Sequence, residues 1–419
     1  MNAMSTSPTH IEQIYRDHSR RVLATLIRLL NDFSLAEESL QEAFVAALRQ
    51  WPQEGIPDNP AAWLISTGQR RGIDQIRRHQ TARRHAHLVE PGDASMEEAD
   101  ETPIDDDLLR LLFTCCHPAL AMEARVALTL REMCGLTTEQ IARALLQKPV
   151  TVAQRIVRAK RKIRDAGIPY KVPDSHELPQ RLPDVLKVIY LVFNEGYSRT
   201  EGQHVLDVSL AGEAIQLAES LARLLPHGEV FGLAALMYLQ HSRRDARQDP
   251  CGELVTLEHQ DRNLWNQADI RLGLDWLAQA LQFTPVAPYT LQASIAAEHA
   301  TARHASDTNW KRIVLLYDAL HRQQPSAVIA LNRAVAVAMR DSPQEGLRLL
   351  EQLTSTREVL SYHLFHAARA DLLRRAGDTE SARMAYQQAL VLAVQEPERR
   401  FLARQLRLLD DDPTSRPAP

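Results

Sequence analysis

The stretch Gly135–Ile163, GLTTEQIARALLQKPVTVAQRIVRAKRKI, decides how this chain is read. It is a turn, a short helix, a tight break and a second, strongly basic helix. Thr137 and Gln140 have the spacing of a capping box, so a helix should start there. Ile141, Leu145 and Leu146 supply its apolar face. Gln147-Lys148-Pro149 ends it, because proline disfavours the helical state of the residue before it and suits the first turn of a new helix. In the second helix Val152, Ile156, Ala159 and Ile163 recur at helical intervals and form one buried stripe. The other side carries Thr151, Gln154, Arg155, Arg158, Arg161 and Lys162. An apolar seam under a polar, cationic face is the pattern of a helix-turn-helix that enters the major groove. From Lys148 to Lys171 eight Lys/Arg stand against a single acid, Asp165, which suits a phosphate-lined surface. The plainer alternative is a helical hairpin with a solvated outer face. The density of positive charge favours duplex DNA.

Outside this stretch, composition sets the limits. The chain has 419 residues, which predicts two or three domains, and 45% apolar residues can support real cores. Net charge is only −4, so nucleic-acid binding depends on local concentration of cations. The four cysteines, Cys115, Cys116, Cys134 and Cys251, form no Cys-x-x-Cys pair, against a zinc ribbon or a disulfide framework. Cys115-Cys116-His117 reads as helix core rather than a metal or redox cluster. No apolar run approaches a membrane span of roughly 18 to 20 residues, and the N-terminus is polar rather than signal-like. A soluble, intracellular protein with no membrane partner is expected.

Glycine is scarce and alternating β-branched runs are nearly absent, so the expected fold class is all-α. Residues 10–84 form a first helical block. Residues 85–107 carry nine acids and no Lys or Arg, and with Pro91, Gly92 and Pro103 they read as an acidic flexible linker. Residues 108–170 form the block with the helix-turn-helix. A segment with Pro169, Pro173, Pro179 and Pro183 then leads into a long third region. In the first block, Leu40, Phe44, Ala47, Leu48 and Trp51 predict the buried stripe of a helix over 36–51. Glu38, Gln41, Glu42, Val45 and Arg49 are left outside. Asn59-Pro60 is an N-cap followed by a proline at the first helical position. The helix it starts contains Trp63, read as buried, and six Arg against one acid over residues 65–84. Two basic helical blocks separated by an acidic tether are more than a single-headed repressor needs.

The order LAEESLQEAFVAALRQW, DNPAAWLISTGQRRGIDQIRR and then QRIVRAKRKI resembles the extracytoplasmic-function group of sigma-70 family initiation factors. Residues 10–84 resemble sigma region 2 and residues 108–170 region 4. The string FTCCHPAL, the NEGY at 194–197 and the long helical tail resemble a subgroup with a C-terminal extension of tetratricopeptide-like repeats. The resemblance implies that Glu38, Gln41 and Glu42 meet the clamp helices of the polymerase β′ subunit, with the β flap a further polymerase contact. It implies that the loop 52–58 captures a flipped base of the −10 element, an extrusion that a snug pocket must offset. Gln69, Arg70, Arg77 and Arg78 would lie along that strand, Arg70 standing where many relatives have Asn. Thr151, Gln154, Arg155, Arg158, Arg161 and Lys162 would contact the −35 duplex. The acidic linker would thread the nucleic-acid path of the polymerase or act as a solvated tether.

From about residue 310 a weak repeat is legible. Tyr317, Leu350 and Tyr386 are 33 and 36 residues apart, each followed three residues later by Leu320, Leu353 or Ala389. Gly377, Ala382 and Pro325 fit the same motif. A helical array over 301–410 is expected, offering a surface to a regulatory protein. The preceding 183–300 shows no period. Its Glu213, Glu219, His241, Asp245, Glu253, His259 and Asp261 make no pattern that predicts catalysis or a metal. The leading expectation is a promoter-specificity subunit of bacterial RNA polymerase, cytoplasmic and nucleoid-associated in holoenzyme, with no cofactor and no covalent chemistry of its own. The rivals are a stand-alone helix-turn-helix regulator, which has no use for 36–84, and an enzyme fused to a DNA-binding module, resting only on 183–300.

Overall fold

The computed structural model describes residues 8–86, 104–145, 147–197, 210–354, 357–394 and 396–411. Among these, all regular structure is helical apart from one isolated bridge between Gln248 and Leu254. The all-α expectation holds. Most of the acidic linker, Leu146 of the first apolar face and part of the segment after NEGY lie outside the described residues. The chain divides into two compact units, one ending with the helix that stops at Leu224 and the other beginning after it.

The first unit starts with α1 (Pro8–Leu30), α2 (Phe33–Glu54) and α3 (Pro60–Ala86). Asp32 caps α2 by accepting the Leu35 N–H at 2.9 Å, and Asn59 caps α3 by accepting that of Ala62 at 3.1 Å. Leu40, Phe44, Ala47 and Trp51 are buried, but Leu48 is 50% exposed. One step beyond Ala47 turns it off the core line and beside Val45, so the two form an apolar strip on the outer face of α2. Trp63 is half-buried and meets Trp51 edge-on at 5.3 Å.

Four further helices follow, α4 (Ile104–Cys115), α5 (Met122–Glu132), α6 (Thr138–Ala144) and α7 (Pro149–Asp165). The capping box forms in full: the Thr137 hydroxyl accepts the Gln140 N–H, and the Gln140 carbonyl accepts that of Thr137. Val152, Ile156, Ala159 and Ile163 are all buried. Asp107, read from sequence with the acidic linker, instead belongs to α4 and is wholly buried.

Two helices from beyond the proline segment complete this unit, α8 (Leu178–Tyr197) and α9 (Leu210–Leu224). The FTCCHPAL string is the seat of α8. Arg125 of α5 donates to the carbonyls of Leu120 and Pro118 and to Asp184 of α8, each at 2.8 Å. Arg181 of α8 donates to the Phe113 carbonyl at 3.0 Å. Cys115 and Cys116 lie in the core below, and burial pushes the Cys116 thiol up to about 12, so they act as small apolar groups. Gly196 of NEGY lets α8 meet α9, since a Cβ there would fall 2.3 Å from the Ala211 nitrogen.

The second unit runs through α10 (Gly228–His241), α11 (Gln267–Ala280), α12 (Pro288–Thr301), α13 (Trp310–Gln323), α14 (Ala327–Arg340), α15 (Pro343–Leu353), α16 (Arg357–Leu360), α17 (His363–Arg375), α18 (Thr379–Leu392) and α19 (Glu396–Asp411). The pairs α10/α11, α12/α13, α14/α15 and α17/α18 are successive hairpins. Each second helix carries the same three inward positions: Gly273, Leu277, Ala280; Ile313, Tyr317, Leu320; Gly346, Leu350, Leu353; Ala382, Tyr386, Ala389. Where the first of the three is glycine, the neighbouring helix comes close. A Cβ on Gly346 would lie 2.5 Å from that of Ala338 on α14. The repeat therefore begins at α10, inside the region whose period the sequence hides. Twenty-five residues inserted between α10 and α11 break the spacing there.

Candidate nucleic-acid interface

On α7, Thr151, Gln154, Arg158, Arg161 and Lys162 are exposed and Arg155 is half-buried. Their states differ. Arg155 donates to the Gln147 side chain at 2.6 Å, which fixes its guanidinium at the turn between α6 and α7. Arg161 bonds Asp165 one turn on at 3.1 Å, and Lys162 donates to the Ala119 carbonyl. Thr151, Gln154 and Arg158 project to solvent from the N-terminal half of the helix, the part that meets base edges in a helix-turn-helix. On α3, Gln69 is half-buried and Arg70, Arg77 and Arg78 are exposed. Arg70 bonds the Ser66 carbonyl at 3.2 Å, one turn back on its own helix. On α2, Glu38, Gln41 and Glu42 are exposed in line with Val45 and Leu48, and Glu42 lies 3.9 Å from Arg71 of α3. The structure thus gathers the three sets on three helices of one unit.

Sequence reasoning missed Lys160. It lies on α7 but points inward, 2.7 Å from Glu37 of α2. It is also 2.9 Å from Glu132 of α5, an ion contact whose angle leaves Glu132 Oε1 short of a hydrogen bond. Burial pushes the Glu132 carboxyl up, and the Lys160 charge pulls against it. The two carboxylates in turn hold the Lys160 ammonium above its ordinary value against the cost of its own burial. Nothing in the period of α7 separates Lys160 from the solvent-facing cations. Only the approach of α2 does.

This triad, with Arg131 of α5 also 3.9 Å from Glu37, is one of several polar ties between the first three helices and residues 104–170. Arg28 of α1 donates to Asp107 at 2.9 Å, and Arg110 donates to the same oxygen at 2.8 Å. The Tyr170 hydroxyl lies 2.9 Å from the Ala24 carbonyl and 3.1 Å from that of Asp107. Arg20 donates to the Cys134 carbonyl at 3.0 Å and sits 3.6 Å from Glu213 of α9. A cleft of about 580 Å³ runs along this seam, between Phe33 and Glu37 on one side and Val157, Lys160 and Arg164 on the other.

Comparison with known proteins identifies the two blocks. Residues 14–82 match the Sigma-70 region 2 family model and residues 110–163 that of Sigma-70, region 4. A relative of 42% identity, an uncharacterized protein of Rhizobium meliloti (strain 1021), aligns over 94% of this chain and 95% of its own. The chain belongs to the sigma-70 family. Its named relatives include factors of the extracytoplasmic-function group. The Probable ECF RNA polymerase sigma factor SigI of Mycobacterium tuberculosis is 27% identical over 61% of this chain and 86% of its own. The ECF RNA polymerase sigma factor SigK of Mycobacterium bovis (strain BCG / Pasteur 1173P2) is 27% identical over 36% of this chain and 82% of its own. Residues 181–281 match a family of unknown function, DUF6596, which covers α8 to α11. Yeast Tom70, a solved structure, aligns over 97% of this chain and 86% of its own at 12% identity, with a TM-score of 0.36. Beyond regions 2 and 4 this sigma factor carries a helical extension, of which α8 and α9 are built into the same unit as those regions. Among the described residues no helix is long and apolar enough to cross a membrane.

Proposed function

We propose that this sigma factor binds core RNA polymerase and directs promoter-specific initiation in the bacterial cytoplasm, leaving the covalent chemistry to the polymerase. The observation that carries the reading is the presence, in one unit, of a helix-turn-helix with Thr151, Gln154 and Arg158 exposed and a separate acidic-apolar α2 face. A stand-alone regulator needs the first and not the second. Glu38, Gln41 and Glu42, with Val45 and Leu48 beside them, dock on the β′ clamp helices, and region 4 meets the β flap. Arg70, Arg77 and Arg78 follow the −10 strand, with Gln69 and the 52–58 loop at the captured base. The helix α7 reads the −35 duplex.

The ties across the seam make this a closed form. Elements centred near −10 and −35 are roughly 25 base pairs apart, about 85 Å of duplex at ~3.4 Å per base pair. A compact body of about 200 residues has a radius of gyration of roughly 16 Å. One closed unit cannot reach both elements, so polymerase and promoter must part α1–α3 from α4–α7. The helical repeats take a regulatory protein whose binding reports a cellular condition to the promoter-reading unit.

Holoenzyme assembly tests the docking face. A Glu38→Lys/Glu42→Lys double variant should lose binding to core polymerase while keeping its thermal unfolding profile, because both side chains are exposed. Normal assembly by that variant would remove the docking role of α2.

A further inference from the structure

The segment between α10 and α11 is a strap across the repeat array. The Asn266 N–H donates to the Ser242 carbonyl at 2.8 Å, so the loop is closed at its base. Trp265 roots it, 3% exposed under the Arg262 guanidinium at 4.6 Å. Arg262 also donates to the His299 carbonyl and, at 2.9 Å, to that of Ala302, both at the end of α12. From there the strap reaches the far end of the array. Glu258 pairs with Arg375 at the end of α17, and Arg375 also donates to Met339 Sδ of α14. Glu253 lies 3.7 Å from Arg400 of α19. Arg404 of α19 donates to the Leu254 carbonyl at 3.5 Å. The first hairpin is thereby tied to the last.

Resting on the reading of the repeats as a docking surface, we infer that Arg375, Arg400 and Arg404 bind an acidic segment of a partner protein, in the place the strap now holds. The strap shows the chemistry of the ligand: two carboxylates and one backbone carbonyl, each facing an arginine. Arginine suits this because its planar donors can hold a carboxylate and a carbonyl from one guanidinium. The occupant is displaceable. Its two carboxylate ties are partly exposed, with Glu258 41% and Arg400 44% open to solvent at the side chain, and ion pairs of that kind hold weakly. Its root is not, so displacement would swing the Gln248–Leu254 end while the base at Ser242 and Asn266 stays closed. A nucleic-acid strand is less well matched, since Arg404 is engaged by a peptide carbonyl and neither acid stands in for a run of phosphates.

The test uses the full chain and a short fluorescein-labelled Glu-Ala peptide, read by anisotropy at physiological salt. Glu253→Gln/Glu258→Gln should bind it roughly tenfold more tightly than wild type. Adding Arg375→Gln, Arg400→Gln and Arg404→Gln should return affinity to the wild-type level or below. A second variant replaces residues 244–264 by a short Gly-Ser linker, which the bonded base permits, and should show the same gain. No gain in the Gln variant, or a gain that survives loss of the three arginines, overturns the proposal. An equal gain for an oligothymidylate overturns it in favour of nucleic acid. Promoter output is not part of the readout, so failure of the regulatory reading would leave these titrations unchanged.

Discussion

Lys160 stands on the DNA-reading helix and serves the protein interior. Its charge is held between Glu37 and Glu132, and Glu132 is only 2% exposed. Removing one member of a buried, paired set leaves an uncompensated charge, which typically costs about 3–5 kcal/mol. Lys160→Ala should therefore lower the stability of the first unit by roughly 3 kcal/mol in urea unfolding. A Lys160→Met/Glu132→Leu pair should recover most of it, because no charge is then stranded. A single variant as stable as wild type would show that the triad holds nothing. Glu229 makes a second residue-scale case. It lies at the start of α10 and accepts the Tyr289 N–H of α12 at 2.8 Å. Burial pushes its carboxyl up to about 7 from an ordinary 4.5, against the Tyr289 and Thr290 amides that lower it. The folded state therefore holds an extra proton between those values, and its contribution to stability falls as pH rises through that window. Glu229→Gln keeps an acceptor for Tyr289 and removes the titration. Thermal unfolding at about pH 5 and about pH 8 should show a smaller loss with rising pH in the variant than in wild type. Equal losses would place the titration elsewhere.

At the scale of elements, α6 and α7 were legible because their signals are local. A capping box, a proline at a helix start and an apolar stripe at helical spacing each act within a few residues, and each appears where the sequence places it. Leu48 was misread because helical period alone cannot say where the edge of a buried stripe lies. Lys160 and Asp107 were misread because their partners, Glu37 and Arg28, come from a different block of the chain. The candidate site was legible as three exposed helical faces, and the ties that close the seam were not. The faces themselves carry distinct expectations. Arg158 projects freely to solvent, so Arg158→Ala should change which −35 sequences are accepted, with about 1–3 kcal/mol lost at one base pair if it grips guanine. Arg161, already paired with Asp165, should behave as a phosphate contact. Its removal would weaken all sequences evenly and reduce the salt slope by about 1. Competition binding across a set of −35 duplexes at two salt concentrations separates the two. Even loss for Arg158→Ala would move base reading to Thr151 or Gln154.

For the whole molecule, the division into units bears on how the extension can be removed. The proline segment after Pro169 reads as the natural joint, yet α8 and α9 beyond it are held by Arg125, Arg181 and Glu213. The sequence could not show this, because the docking contacts join residues far apart in the chain and the carbonyls involved have no side-chain signature. The repeats were legible only from α13 onward, since the strap separates α10 from α11 and the loops 281–287 and 302–309 around α12 lengthen the next spacing to 40 residues between Leu277 and Tyr317. A chain cut after Leu224 should remain folded and bind core polymerase. One cut at residue 175 should unfold at lower temperature, because the Arg125 guanidinium loses Asp184 and α4 loses its contact with α9. Equal melting of the two would separate α8 and α9 from the promoter-reading unit.

Promoter choice by core polymerase is the function proposed for this chain. The direct measurement is transcription by reconstituted holoenzyme from a library of randomised upstream sequences, sequencing the transcripts. The predicted result is a set of promoters sharing paired −10 and −35 elements, absent with core polymerase alone and shifted at the −35 element by Arg158→Ala. Sequence-specific binding of the free protein to duplex DNA, with no polymerase-dependent transcription from any member of the library, would contradict it.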